Sequence, residues 1–134
     1  MSNSIRVLLV DDEQIFVDSL TKVLRRRGMV VLSASDGAAG LELLSREDVD
    51  VIVLDVRMPG MDGIATFKAI RERDSLMPVI FLSGHIDIKQ VSQALKDGCS
   101  EILLKPCPID NLVSSIENAY ERKCCIQDVA EKTQ

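Results

Sequence analysis

Residues 51–63 read "VIVLDVRMPGMDG". Four consecutive Val, Ile and Leu residues mark a strand buried on both faces, as in a parallel sheet, and not a half-exposed strand of alternating polarity. Asp55 follows the apolar run at once, and Pro59-Gly60 ends regular structure a few residues later. A dry strand that carries a carboxylate at its end needs a reason for holding charge there.

Outward from this stretch, four more apolar runs share its character. "IRVLLV" (5–10) stops at Asp11-Asp12, "MVVLSA" (29–34) runs into the Asp36-Gly37 turn, "VIFLS" (79–83) follows Pro78, and "EILLK" (101–105) precedes Pro106. Between them lie segments of helical period. Residues 14–27 space Phe16, Leu20, Val23 and Leu24 along one face, and Gly28 is a natural stop. Residues 38–46 carry Leu41 and Leu44. Asp62-Gly63 leads into a helix bearing Ile64, Phe67 and Ile70. Residues 87–97 place Val91, Ala94 and Leu95 on one face before Gly98. Residues 109–123 carry Ile109, Leu112, Val113, Ile116 and Ala119, with Tyr120 at the edge of that helix. The period fades after Lys123, so the domain is read as 1–123 and 124–134 as a short C-terminal tail or helix extension. Strands alternating with helices through short loops predict right-handed crossovers and a parallel sheet covered on both faces. Five such pairs are too few for an eight-fold barrel, which leaves an open, doubly wound α/β sheet.

The gross features narrow the function. A chain of 134 residues, 46% hydrophobic and 28% charged, suits one globular domain with a self-supporting core. A net charge of −5 argues against nucleic-acid binding, which calls for a basic stripe. The Arg25-Arg26-Arg27 cluster reads as a solvated last helical turn favoured by the helix dipole. Met1-Ser2-Asn3-Ser4 has neither the basic nor the apolar region of an export signal, and no apolar run approaches the roughly 20 residues that span a bilayer. A cytoplasmic protein without a membrane partner is expected. Cys99, Cys107, Cys124 and Cys125 lack zinc-site spacing and read as free thiols of a reducing compartment.

In a doubly wound sheet every strand C-terminus meets one edge, where ligands bind. Strand 1 delivers Asp11 and Asp12 there, strand 3 delivers Asp55, strand 4 Ser83-Gly84, and strand 5 Lys105-Pro106. Three adjacent carboxylates repel one another and strain the fold unless something positive neutralises them. A hard cation with oxygen ligands does so economically. Mg²⁺ suits, because it takes one or two carboxylates, keeps waters and leaves room for phosphate oxygens. A carboxylate beside such an ion can attack a phosphoryl group as nucleophile, while an ammonium such as Lys105 stabilises the transferring charge and Ser83 hydrogen-bonds a phosphoryl oxygen. No activating base is required, since carboxylates are ordinarily ionised at neutral pH.

The chain resembles the receiver domain of two-component response regulators over about residues 5–122. The matching pieces are "VLLVDDE" (7–13), "VIVLDVRMPGMDG" (51–63), "VIFLSG" (79–84) and "LLKP" (103–106). The resemblance implies a flavodoxin-like (βα)5 fold with a five-stranded parallel sheet of order 2-1-3-4-5. It implies that Asp55 accepts a phosphoryl group from the phosphohistidine of a histidine kinase or phosphotransfer protein. Asp11 and Asp12 then hold Mg²⁺ together with Asp55 and the backbone carbonyl of Arg57, Ser83 is the switch hydroxyl, and Lys105 contacts the phosphoryl group. It also implies a cis bond before Pro106 and a signalling surface on helix 4, strand 5 and helix 5, read by a downstream effector. On this reading the domain is not an enzyme beyond assisting its own phosphorylation and dephosphorylation.

One departure stands out. Receivers usually carry an aromatic residue three positions before the strand-5 lysine, and Ile102 occupies that place, which puts an aromatic relay in doubt. Three other readings compete. An aspartate-based hydrolase needs a second acid two residues after its nucleophile, where this chain has Arg57. A flavin protein needs a hydroxyl- and glycine-rich phosphate loop after strand 1, where this chain has "DDEQ". A degenerate receiver acting as a constitutive protein-interaction module has no need to keep Asp11, Asp12, Asp55, Ser83 and Lys105 together. His85, Met58 and Met61 read as ordinary loop residues near the site.

Overall fold

The computed structural model describes residues 4–56, 62–84 and 88–132. The Arg57 carbonyl, Met58, Pro59, Gly60, Met61 and His85 lie outside the described residues. Elements alternate without exception: β1 (Arg6–Val10), α1 (Gln14–Arg26), β2 (Val30–Ala34), α2 (Gly37–Arg46), β3 (Val51–Leu54), α3 (Gly63–Arg73), β4 (Val79–Ser83), α4 (Ile88–Lys96), β5 (Glu101–Leu104) and α5 (Ile109–Lys132). All strand pairs are parallel, in the order β2-β1-β3-β4-β5. This is the flavodoxin-like sheet that the sequence implies.

The unbroken apolar runs of the central strands follow from two cores, one on each face. Successive strand residues point to opposite sides. Leu8, Val10, Ile52, Leu54, Val79 and Phe81 therefore pack with Leu41, Phe67, Ile70 and Ala94 of α2, α3 and α4. Val7, Leu9, Val51, Val53, Ile80 and Leu82 pack with Val17, Leu24, Leu112 and Ile116 of α1 and α5. Phe67 and Phe81 meet edge to face with centroids 5.4 Å apart, a geometry that adds to their area burial. Gly28 and Gly98 end α1 and α4 at φ +86° and +89°, a region that disfavours other residues. Asp36 and Asp62 cap α2 and α3, each accepting a backbone N–H at 2.8 Å.

One expectation is corrected. Leu95, assigned to the packed face of α4 with Ala94, is 55% exposed while Ala94 is buried. Consecutive helical residues point about 100° apart, so Ala94 can face the core while Leu95 turns outward; the side chain of Val91 lies outside the described residues. Of the two readings left open for residues 124–134, the structure shows the helix extension, with α5 running to Lys132. Ile126 and Val129 of its last turns are exposed, so the amphipathic period fades while the helix itself continues. The arginine cluster at the end of α1 is exposed as expected, and two of its members also make bonds. Arg27 pairs with Asp110 at the start of α5 at 2.6 Å, and Arg25 donates to the Val31 carbonyl. Tyr120 packs against the α1/α5 core as expected.

A close approach fixes where Asp55 sits. The N–H of Gly63 donates to the Val56 carbonyl at 2.9 Å, and a Cβ at residue 63 would lie 2.6 Å from Val56 Cα and collide with the Asp55 carbonyl. Substituting Gly63→Ala should therefore cost about 2 kcal/mol, the scale of overpacking a rigid site. Urea denaturation will show the midpoint falling with the slope unchanged.

Candidate functional site

The backbone ladder extends one residue beyond three strands and so places the site. Asp11 N–H donates to the Ala34 carbonyl at 3.1 Å, Asp55 N–H to the Val10 carbonyl at 2.9 Å, and Lys105 N–H to the Ser83 carbonyl at 2.9 Å. The strands themselves stop at Val10, Leu54 and Leu104, one residue short of the expected bounds of β3 and β5. The peptide bond between Lys105 and Pro106 is cis, as the resemblance implied.

Asp11 and Asp55 are buried at 6% and 5% exposure, Ser83 at 1%, and Asp12 faces solvent. Asp11, Asp12 and Asp55 each offer a carboxylate oxygen within 4.8 Å of the others, the one such cluster among the described residues able to hold an ion. Its donors are all oxygen, the set that suits a hard divalent cation and not zinc or copper. The strand-end convergence of Asp11, Asp12, Asp55 and Lys105 is therefore present in three dimensions, and Ser83 stands at the end of β4, its carbonyl bonded to the Lys105 N–H. Asp11 is further oriented by Glu13, whose N–H donates to Asp11 Oδ1 at 2.9 Å.

Lys105 is the positive counterpart. Its Nζ lies 2.7 Å from Asp11 Oδ2, 3.3 Å from Glu13 Oε1 and 3.9 Å from Asp55 Oδ2, with the lysine side chain only 12% exposed. The ring centroid of Phe16 is 4.3 Å from the same atom. Burial opposes the ammonium, but the hydrogen bond it donates to Asp11, the charges of Asp11 and Asp55 and the bond it donates to Glu13 together outweigh it and hold the lysine above its ordinary pKa. Neither Glu13 nor Phe16 was singled out from sequence. Glu13 sits inside the "DDE" motif but carries no spacing signal of its own, and Phe16 looked like one more apolar residue of α1.

Comparison with known proteins gives the family. A model of the response regulator receiver domain matches residues 7–117. The chain is 34% identical over 128 residues to the C4-dicarboxylate transport transcriptional regulatory protein DctD of Rhizobium meliloti, covering 96% of the chain and 28% of that protein. It is 36% identical over 113 residues to the DNA-binding transcriptional regulator NtrC of Escherichia coli, covering 84% of the chain and 24% of that protein. The crystal structure of a response regulator receiver domain protein from Clostridium thermocellum superposes with a TM-score of 0.86 at 31% identity, over 91% of this chain and 98% of that one. The chain belongs to the response regulator receiver domain family, the signalling domains of two-component systems. It spans about a quarter of the length of these two curated relatives. Among the described residues no helix is long and apolar enough to cross a membrane.

The raised pKa of Lys105 carries a pH signature. A cation whose pKa rises on folding contributes stability that is complete below its unfolded value, ordinarily 10.5, and that disappears as pH climbs through the folded value. In the metal-free protein, Lys105→Met should cost about 2 kcal/mol at pH 8, the scale of a charged hydrogen bond. Denaturation at rising alkaline pH will show the gap between wild type and variant closing above pH 10.5.

Proposed function

We propose that this domain accepts a phosphoryl group on Asp55 from the phosphohistidine of a histidine kinase or phosphotransfer protein in the cytoplasm and relays the event to a downstream effector. The observation that carries the reading is the buried Asp55 carboxylate at the sheet edge, flanked by Asp11, Asp12 and the Lys105 ammonium. Asp11, Asp12 and Asp55 fit a Mg²⁺ ion, with the Arg57 carbonyl as the further ligand that the family resemblance implies. When bound, the ion neutralises charge on the phosphoryl oxygens.

The residues divide the remaining work. An Asp55 oxygen attacks phosphorus as the P–N bond to the donor imidazole breaks, and the imidazole leaves with the electron pair. The strand end holds that oxygen in place, so the orientation is set before the donor arrives. Lys105 offsets the added negative charge, and Ser83 donates its hydroxyl to a phosphoryl oxygen. Water later attacks phosphorus and releases inorganic phosphate, restoring the carboxylate. The acyl phosphate brings about −1.5 to −2 of charge and strong acceptors to the sheet edge. Re-pairing of Ser83 and Lys105 with it biases a two-state equilibrium of the face made by α4, β5 and α5. The exposed Leu95 and Leu104 on that face give a partner apolar surface to read. Ile102 packs partly buried against the α2–α4 core and fills the place of the usual aromatic.

The domain is not a turnover enzyme on this reading, since the position two residues past Asp55 is Arg57 and supplies no acid. The degenerate-receiver reading is set aside because the residues the chemistry needs are kept and brought together.

Acetyl phosphate with Mg²⁺ should add one phosphoryl group, seen by intact mass and mapped to the peptide bearing Asp55. Asp55→Ala and excess EDTA should each abolish it, and an adduct persisting in that variant means another nucleophile. Mg²⁺ at about a hundred times its Kd should also raise unfolding free energy by about 2.7 kcal/mol. Asp12→Ala, at a solvent-facing position, should lose that increment while leaving metal-free stability near wild type.

A further inference from the structure

Of the groups found around the Lys105 ammonium, three are carboxylates. Two of these, Asp11 and Asp55, belong to the cluster that metal and phosphoryl group would claim. The third, Glu13, has a side chain 61% exposed, where water weakens an ion pair. The Phe16 ring, 4.3 Å from Nζ, is different in kind. A ring face attracts a cation through its quadrupole, more strongly as water is excluded, and Lys105 is largely buried. The ring is neutral, so it neither binds a metal nor repels a phosphoryl group. Its hold on the ammonium persists while the neighbouring carboxylates change partners.

The position of the ring is fixed by the fold. Phe16 lies in the first turn of α1 and packs against the core shared by α1 and α5. It also walls a void of about 10 Å³ shared with Asp11, Asp55, Val17, Leu20 and Leu82. That is barely one water in size, so the ring packs closely on its inward side.

We propose that Phe16 is a positioning residue for phosphoryl acceptance, its ring keeping the Lys105 ammonium at the strand-end site while Asp11 and Asp55 are engaged. The inference rests on the phosphoacceptor reading of Asp55. A residue that merely packs the core would tolerate any apolar side chain of similar size.

The test measures acetyl-phosphate labelling at saturating Mg²⁺, separating the saturating rate from the donor concentration that half-saturates it. Phe16→Leu should lower the saturating rate about 2- to 30-fold, the range set by losing a cation–π contact, with little change in half-saturation. Phe16→Tyr, which keeps the ring, should restore it. Site-specific ring-fluorinated phenylalanines at position 16 keep the shape and weaken the quadrupole, and should slow labelling in step with fluorination. This series decides the matter if Phe16→Leu fails to fold. In a Lys105→Met background, Phe16→Leu should add nothing, because the two residues act as one unit. Independently of labelling, the Lys105 ε-methylene protons should show an upfield ring-current shift in the metal-free protein that Phe16→Leu removes and Phe16→Tyr keeps. Wild-type labelling rates in Phe16→Leu, no response to fluorination, or an equal loss in the Lys105→Met background would each overturn the role of Phe16 alone. A wild-type protein that is never labelled overturns the phosphoacceptor reading itself, and the role of Phe16 with it.

Discussion

The constraint on which the rest depends is the crowding of carboxylates at the C-terminal edge of a parallel sheet. Asp11 and Asp55 are almost fully buried, and Asp12 joins them within ion-binding distance. Burying like charges together is costly unless opposite charge and hydrogen bonds answer them. Lys105 does so from 94 residues away in the chain, reaching over the edge from the end of β5. The strain of the acidic edge and the reactivity of the site have the same origin, since a set of carboxylates that needs positive charge is also a set that can recruit a metal and a phosphoryl group.

The scaffold makes that crowding possible. Two dry cores, one on each face of the sheet, hold the strands in register with more apolar surface than the charged edge can disrupt. Backbone hydrogen bonds then carry the register one residue beyond the strands, into Asp11, Asp55 and Lys105. Gly63 lets the start of α3 come against the Asp55 backbone, where any side chain would push the two apart. The backbones of the site residues are therefore ordered by main chain, and neighbours such as Glu13 and Phe16 act on the side chains they present.

Charge balance also accounts for the lysine's surroundings. An ammonium held only by carboxylates would lose its partners as those carboxylates turn to other ligands. An aromatic face has no such competing demand, and the α1 ring that approaches Lys105 supplies an attraction independent of the chemistry beside it. The same face of the sheet carries α5, whose last turns leave the core and expose Ile126 and Val129.

The sequence by itself determined the parallel, doubly wound sheet and the edge at which the acidic residues meet. Apolar runs of period two or less, alternating with helical segments, admit few other arrangements, and every strand in such a sheet ends on the same side. Asp11, Asp12, Asp55, Ser83 and Lys105 were legible for that reason, each standing where an apolar run stops. The outward turn of Leu95 was not, because it depends on how α4 is rotated against the sheet and not on local pattern, and local pattern also left the end of α5 open between a tail and a helix extension. Only the tertiary structure decided what surrounds Lys105. The approach of Glu13 and Phe16 to an ammonium some 90 residues on depends on where α1 crosses the sheet relative to β5, and side-chain direction across such a span leaves no trace in one-dimensional spacing.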